Sequence, residues 1–169
     1  MGAGKTTFYD TYLREAFPTL VPAVREQQKR FLNDRRSFAV EDTRVDTQLL
    51  AEAKAAGFIT KVLFISTEDA NLNAGRVLVR MSRGGKADAV ASVIDSYRES
   101  TKNLPEVRKH ADELILYDNT AHHRGFRVVA HFVGDELSKA APTIPDWADR
   151  VFGMELQPAK QRAKSGRGR

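Results

Sequence analysis

Gly2-Ala3-Gly4-Lys5-Thr6-Thr7, running straight into Phe8-Tyr9-Asp10-Thr11-Tyr12-Leu13, is the stretch whose reading decides the fold. Gly4-Lys5-Thr6 is the closing half of the phosphate-binding loop G-x-x-x-x-G-K-S/T. In that loop backbone N–H groups wrap a β-phosphate, the Lys reaches the β- and γ-oxygens, and the hydroxyl holds Mg²⁺. The leading glycine of the pattern would fall before Met1, and the strand that feeds the loop would lie further upstream. The loop is therefore expected without its strand. Phe8, Tyr12, Leu13 and Phe17 follow at roughly helical spacing on one broad apolar stripe. A helix starting at Lys5 would aim free N–H groups and its positive dipole end at a phosphate. Gly2, Ala3, Gly4, Lys5, Thr6 and Thr7 are expected to bind nucleotide, with Thr6 as the Mg²⁺ contact.

Working outward, Ala23 to Arg36 reads as a second helix after Pro22, and Ser37 to Glu41 as a short strand ending in Asp42-Thr43. Val45, Leu49, Leu50, Ala53 and Ala56 recur at helical spacing, with Gly57 where a C-terminal cap belongs. Phe58 to Ile65 is a nearly continuous apolar run, suited to a strand buried on both faces. Asp69 or Asn71 caps a helix reaching Ser82, Arg83-Gly84-Gly85-Lys86 breaks it, and Ala87 to Leu104 forms the next helix. Leu114 to Tyr117 and Arg127 to Val133 read as strands, and Asp135 to Phe152 as short helices punctuated by Pro142 and Pro145. This alternation predicts an α/β fold, a parallel sheet covered by helices. In such sheets ligands bind beyond the carboxyl ends of the strands. Glu41 to Thr43, Ser66 to Glu68 and Asp118-Asn119 would then gather near Lys5.

The chain has 169 residues, enough for one domain with a substantial core. Without cysteine it has no disulfide, thiolate metal site or Cys nucleophile, and a cytoplasmic location is expected. No apolar run approaches the roughly 18 residues of a membrane span, and no signal peptide is visible. Lys160, Arg162, Lys164, Arg167 and Arg169 account for the whole net charge of +5. The body is therefore neutral, which argues against a dedicated nucleic-acid surface. Residues 1–158 are read as one domain and 159–169 as a basic disordered tail, too poor in apolar residues to offset its own ordering entropy. Adjacent His122 and His123 point in different directions and make a poor metal pair.

With these pieces in order, the chain resembles the zeta-toxin-like P-loop kinases, as a truncated or degenerate member. The resemblance rests on Gly2 to Thr7 with Phe8, Ser37-Phe38-Ala39-Val40-Glu41-Asp42-Thr43, and the Val62 to Ile65 strand. It continues through Arg76-Val77 to Arg80-Met81, Arg83-Gly84-Gly85, Tyr97 with Ser100, Asn103 and Leu104, and Leu116-Tyr117-Asp118-Asn119. It implies transfer of the ATP γ-phosphate to a hydroxyl of a small substrate, a nucleotide sugar in the best-known members. Lys5 would neutralise the transferring phosphate, Glu41 and Thr43 would contact the acceptor, and Arg80 or Arg83 would stabilise phosphate charge. ATP and Mg²⁺ are the implied cofactors, and an antitoxin-type protein is an implied partner. Self-association is expected separately, from the sheet edge that a missing strand would leave open.

The chain also departs from the family. The family carries an Asp, on a strand between the loop and Glu41, as base for the attacking hydroxyl. Here Asp10 and Asp34 lie in that interval and match no motif. The family's G-G-H reads Gly84-Gly85-Lys86, and its Arg before the Tyr is Ser96. The alternative function is therefore a catalytically silent remnant that binds nucleotide weakly or serves as a protein-interaction domain.

Overall fold

The apolar run ending at Ile65 becomes strand β1 (Lys61–Ser66), which pairs in parallel with β2 (Glu113–Asp118). β2 pairs antiparallel with β3 (Arg127–Val133), and β3 antiparallel with β4 (Glu136–Ala140). The strand order is β1-β2-β3-β4. The computed structural model describes residues 2–85, 87–121 and 124–165, with side chains as far as Gln157. Over these residues the chain is α/β with an open, mixed four-stranded sheet. Parallel pairing is present at β1 and β2 only; a hairpin geometry takes over beyond them.

The helices are α1 (Lys5–Phe8), which runs into a π-helical turn at Tyr9–Leu13, then α2 (Arg25–Asn33) and α3 (Thr47–Ala55). They continue with α4 (Ala70–Ser82), α5 (Val90–Lys102), α6 (Leu104–His110) and α7 (Asp146–Ser165). The starts of α3 and α4 follow capping chemistry. Asp46 accepts the Leu49 N–H at 3.0 Å and Asp69 the Leu72 N–H at 2.9 Å, each satisfying a first-turn donor. Gly57, at φ +82°, ends α3 in the left-handed conformation that a C-terminal cap requires.

One face of the sheet carries the main core. Leu114, Leu116, Ala130 and Phe132 meet Leu104 and Val107 of α6 and Trp147, Phe152 and Leu156 of α7, all essentially inaccessible to water. The opposite face is covered by a thinner layer. Ala3, Phe8 and Ile65 are buried there, with Leu13, Leu63, Tyr117 and Phe126 packed around them. Phe8 meets Tyr117 and Phe126 edge-on at 4.7 and 5.0 Å between ring centroids, which anchors α1 to the sheet.

Several expectations are corrected. Ser37 to Glu41 forms no strand; Ala39 makes a single parallel bridge to Leu20, with the Val21 N–H donating to the Ala39 carbonyl at 2.9 Å. A ladder needs a continuous neighbour, and β1 does not pair with this segment. Glu136 to Ala140, read as helical, is an edge strand entered through Gly134 at φ +53° and Asp135, a tight hairpin connection. The helix expected to end at Leu104 resumes there as α6, with Pro105 in its first turn, where its missing N–H costs nothing. α7 is kinked at Phe152, where φ −124° and ψ 26° leave the helical region, and its second part runs on to Ser165. Met1, Lys86, His122, His123 and residues 166–169 lie outside the described residues.

β1 is an edge strand. The Thr60 carbonyl accepts from the Asp112 and Glu113 N–H groups, and the Ser66 carbonyl from the Asn119 N–H, so these backbone groups face β2. Strand alternation then turns the backbone polar groups of Leu63 and Ile65 away from β2.

Candidate functional site

Gly2 and Gly4 adopt φ +78° and +92°, and both are held against other elements. A Cβ on Gly2 would lie 2.5 Å from the Asn73 carbonyl oxygen of α4, and one on Gly4 would lie 2.6 Å from Asn119 Nδ2. Only glycine meets the dihedral and the space requirement together. Between them, the Ala3 carbonyl accepts from buried Asn119 Nδ2 at 2.8 Å, a tie across 116 residues. Asn73 is fixed in turn by Thr67, whose hydroxyl donates to Asn73 Oδ1 at 3.0 Å. The first residues of the chain thus sit at the carboxyl end of β1 and β2.

That docking sets Lys5 and Thr6. The Thr6 hydroxyl lies 3.1 Å from both Oε1 and Oε2 of Glu41. Burial pushes the Lys5 ammonium below the ordinary lysine value, and the carboxylates of Glu41 and Asp42 offset part of that shift. Asp42 Oδ1 accepts the Thr43 N–H at 2.6 Å and the Arg44 N–H at 3.4 Å, holding the loop after Glu41 in a turn.

Two cavities meet at this loop. The smaller, about 70 Å³, is lined by Ala3, Lys5, Ser66, Asn73, Tyr97 and Ser100 together with Asp42, Thr43, Val45 and Ser96. On that measure it takes a few water-sized groups, which suits a phosphate tip rather than a whole nucleotide. The larger, about 870 Å³, opens between the 42–47 loop and α5 and includes Asp46, Asp95, Glu99 and Asn103. Asp42, Thr43, Val45 and Ser96 line both. Asn103 Nδ2 donates to the Val45 carbonyl at 3.2 Å and fixes the wall between loop and helix.

No protein-family model and no curated protein matches this chain.

The expected residues divide into two groups. Lys5, Thr6, Glu41, Thr43, Ser66 and Asn119 come together around the N-terminal loop. Arg80 and Arg83 do not join them. Arg80 is paired with Asp88 at 2.6 Å, Arg83 follows the last turn of α4, and neither lines either of these two cavities. Asp118 is turned to Thr120, Arg127 and Trp147. Glu68 faces Asp146 and Asp118, and its carboxyl is raised above the usual range by burial first and by those two carboxylates next.

Sequence reasoning gave no role to Arg76, which reaches the loop end of β2. Its Nη2 donates to the Asn119 and Thr120 carbonyls at 2.9 and 3.0 Å, and its Nη1 is buried without a hydrogen-bond partner among the described residues. Its position one helical turn before Arg80 was the available signal. Among the described residues no cluster of three or more His, Asp or Glu side chains is arranged to hold a metal ion. The Thr6 hydroxyl fits Mg²⁺ in a narrower sense. Donating to Glu41, it keeps its oxygen lone pairs free for a cation, and Mg²⁺ completes its shell with water and phosphate oxygens.

Proposed function

We propose that the chain binds a nucleoside triphosphate, ATP, through Gly2 to Thr7 and transfers its terminal phosphoryl group to a hydroxyl of a small acceptor, as a P-loop kinase of the zeta-toxin type. The observation that carries this reading is the docked loop from Gly2 to Thr7, which sets Lys5 in the wall of the small cavity and the neighbouring Thr6 hydroxyl against Glu41. Lys5 supplies a cation beside the small cavity, and phosphoryl transfer depends mainly on positioning and charge stabilisation. Thr6 would hold Mg²⁺, which when bound neutralises phosphate charge. Glu41 orients the Thr6 hydroxyl, and Thr43 faces the larger cavity where an acceptor of nucleotide-sugar size has room.

A second reading, nucleotide binding without transfer, is favoured by one observation. Arg80 and Arg83, the cations the resemblance assigns to the transferring phosphate, are not among the residues that line the small cavity with Lys5, and Arg80 is paired with Asp88.

Isothermal calorimetry of ATP·Mg²⁺ against wild type and Lys5→Ala tests nucleotide binding. Lys5→Ala is expected to weaken affinity by about 10- to 100-fold, the worth of a charged hydrogen bond. Equal heats in both proteins, or none in either, would overturn it. Transfer is read separately, as radiolabel moving from [γ-³²P]ATP to a UDP-sugar.

A further inference from the structure

We propose that Asp42 is the general base that takes the proton from the acceptor hydroxyl. The inference rests on the phosphoryl-transfer reading and adds a role that neither the loop motif nor the resemblance assigns to this position.

The geometry singles out Asp42. Of the residues lining both cavities, Thr43, Val45 and Ser96 carry no carboxylate, and Asp42 does. A hydroxyl seated in the larger cavity and a phosphoryl group beside Lys5 in the smaller would approach each other at the Asp42 loop. Asp42 Oδ1 is occupied by the Thr43 and Arg44 N–H groups, while Oδ2 makes no hydrogen bond to the described residues. One oxygen is thereby held by the loop and the other is left to accept a proton. The competing carboxylates are committed or misplaced. Glu41 lines neither cavity and faces the Thr6 hydroxyl, Asp46 is paired with Arg25 and caps α3, and Asp95 and Glu99 line only the larger cavity. Asp10 is paired with Arg14 at 2.6 Å, and neither it nor Asp34 lines either of the two cavities.

The step balances with ATP as co-reactant. The acceptor oxygen forms a bond to the γ-phosphorus while its proton passes to Asp42 Oδ2. The bond from that phosphorus to the β,γ-bridging oxygen breaks, and its electron pair leaves on the terminal oxygen of ADP. Nothing is oxidised or reduced, and Asp42 returns its proton to solvent.

Asp42→Asn tests this, because the amide keeps an oxygen for the Thr43 and Arg44 N–H groups but cannot take the proton. ADP formation is measured at saturating ATP·Mg²⁺ with a UDP-sugar as acceptor and with water alone, alongside calorimetry of ATP·Mg²⁺. Expected are a 10²- to 10⁴-fold fall in kcat, a nucleotide Kd within about twofold of wild type, and partial recovery in Asp42→Glu. Glu136→Gln on distant β4 is the unaffected control, and equal melting temperatures certify folding. If Asp42→Asn failed to fold, Asp42→Ser would take its place. A kcat within about threefold of wild type overturns the proposal, as does a loss matched by an equal loss of nucleotide affinity. A wild type that binds ATP but turns it over with neither acceptor also overturns it, while leaving nucleotide binding intact. No ATP binding by wild type removes the underlying reading itself.

Discussion

Asn119 shows how much one side chain contributes to the site. It is buried at the end of β2, and its Nδ2 satisfies the Ala3 carbonyl at 2.8 Å. Asn119→Ala removes the donor and leaves that carbonyl in a pocket where water must replace it, a cost of about 1–3 kcal/mol. In a domain of this size that lowers the melting temperature by several degrees, measurable by differential scanning calorimetry. Because the same contact holds the loop before Lys5, nucleotide affinity is expected to fall with it. Gly4→Ala is expected to do the same through backbone strain. It combines φ +92° with a Cβ placed 2.6 Å from Asn119 Nδ2. An unchanged melting temperature in both variants would mean that the loop is not packed as described.

Across the sheet, Lys61, Glu113 and His131 form a polar row linking β1, β2 and β3, with Glu113 3.1 Å from Lys61 Nζ and 2.9 Å from His131 Nε2. The hydrogen bond from Lys61 comes first among the causes that hold the Glu113 carboxyl below its usual value, and His131 adds to it against a burial penalty. A depressed carboxylate contributes stability that is present above its unfolded value, near pH 4.5, and lost as pH falls through the folded value. Glu113→Gln should therefore narrow its deficit against wild type when urea titrations move from pH 7 to below pH 4. A deficit independent of pH would show that the row is electrostatically idle. The same elements show what was legible. Capped segments such as α3 and α4 matched expectation, because local chemistry determines them, whereas β1 begins only at Lys61, inside the apolar run, and lies at the sheet edge. β4 was not legible: Glu136-Leu137-Ser138-Lys139-Ala140 is an edge strand with little burial, so no apolar alternation marks it. Ser37 to Glu41 looked like a strand, yet strands exist only through neighbours, and the order of neighbours is not written locally. At the site, Lys5, Thr6 and Glu41 were readable from motif and resemblance. The placement of Asp42 between two cavities depends on how α5 packs against its loop and had no sequence signal beyond adjacency to Glu41.

For the whole molecule, the edge position of β1 is the feature with the broadest reach. Its backbone groups at Leu63 and Ile65 face away from β2 within an apolar strand, a template for another chain. Sedimentation velocity across a concentration series is expected to show reversible self-association; a single monomeric boundary at all concentrations would show the flank to be protected. The sheet order also dictates how the molecule assembles in time. β3 and β4 are joined by a two-residue connection, whereas β1 meets β2 across 52 residues at Thr60 and Asp112, and Ala3 meets Asn119 across 116. Chain closure over such spans is entropically unfavourable until nearby structure can reward it. The β2–β3–β4 meander is thus expected to form first, β1 to join it, and the glycine-rich start of the chain to dock last. What docks last is released most readily, so native-state hydrogen exchange should find the amides of Gly2 to Thr7 opening at the lowest free energy and those of β2 and β3 at the highest. The end of the chain proposed to bind nucleotide would then be its most loosely held part, completed only after everything else has folded.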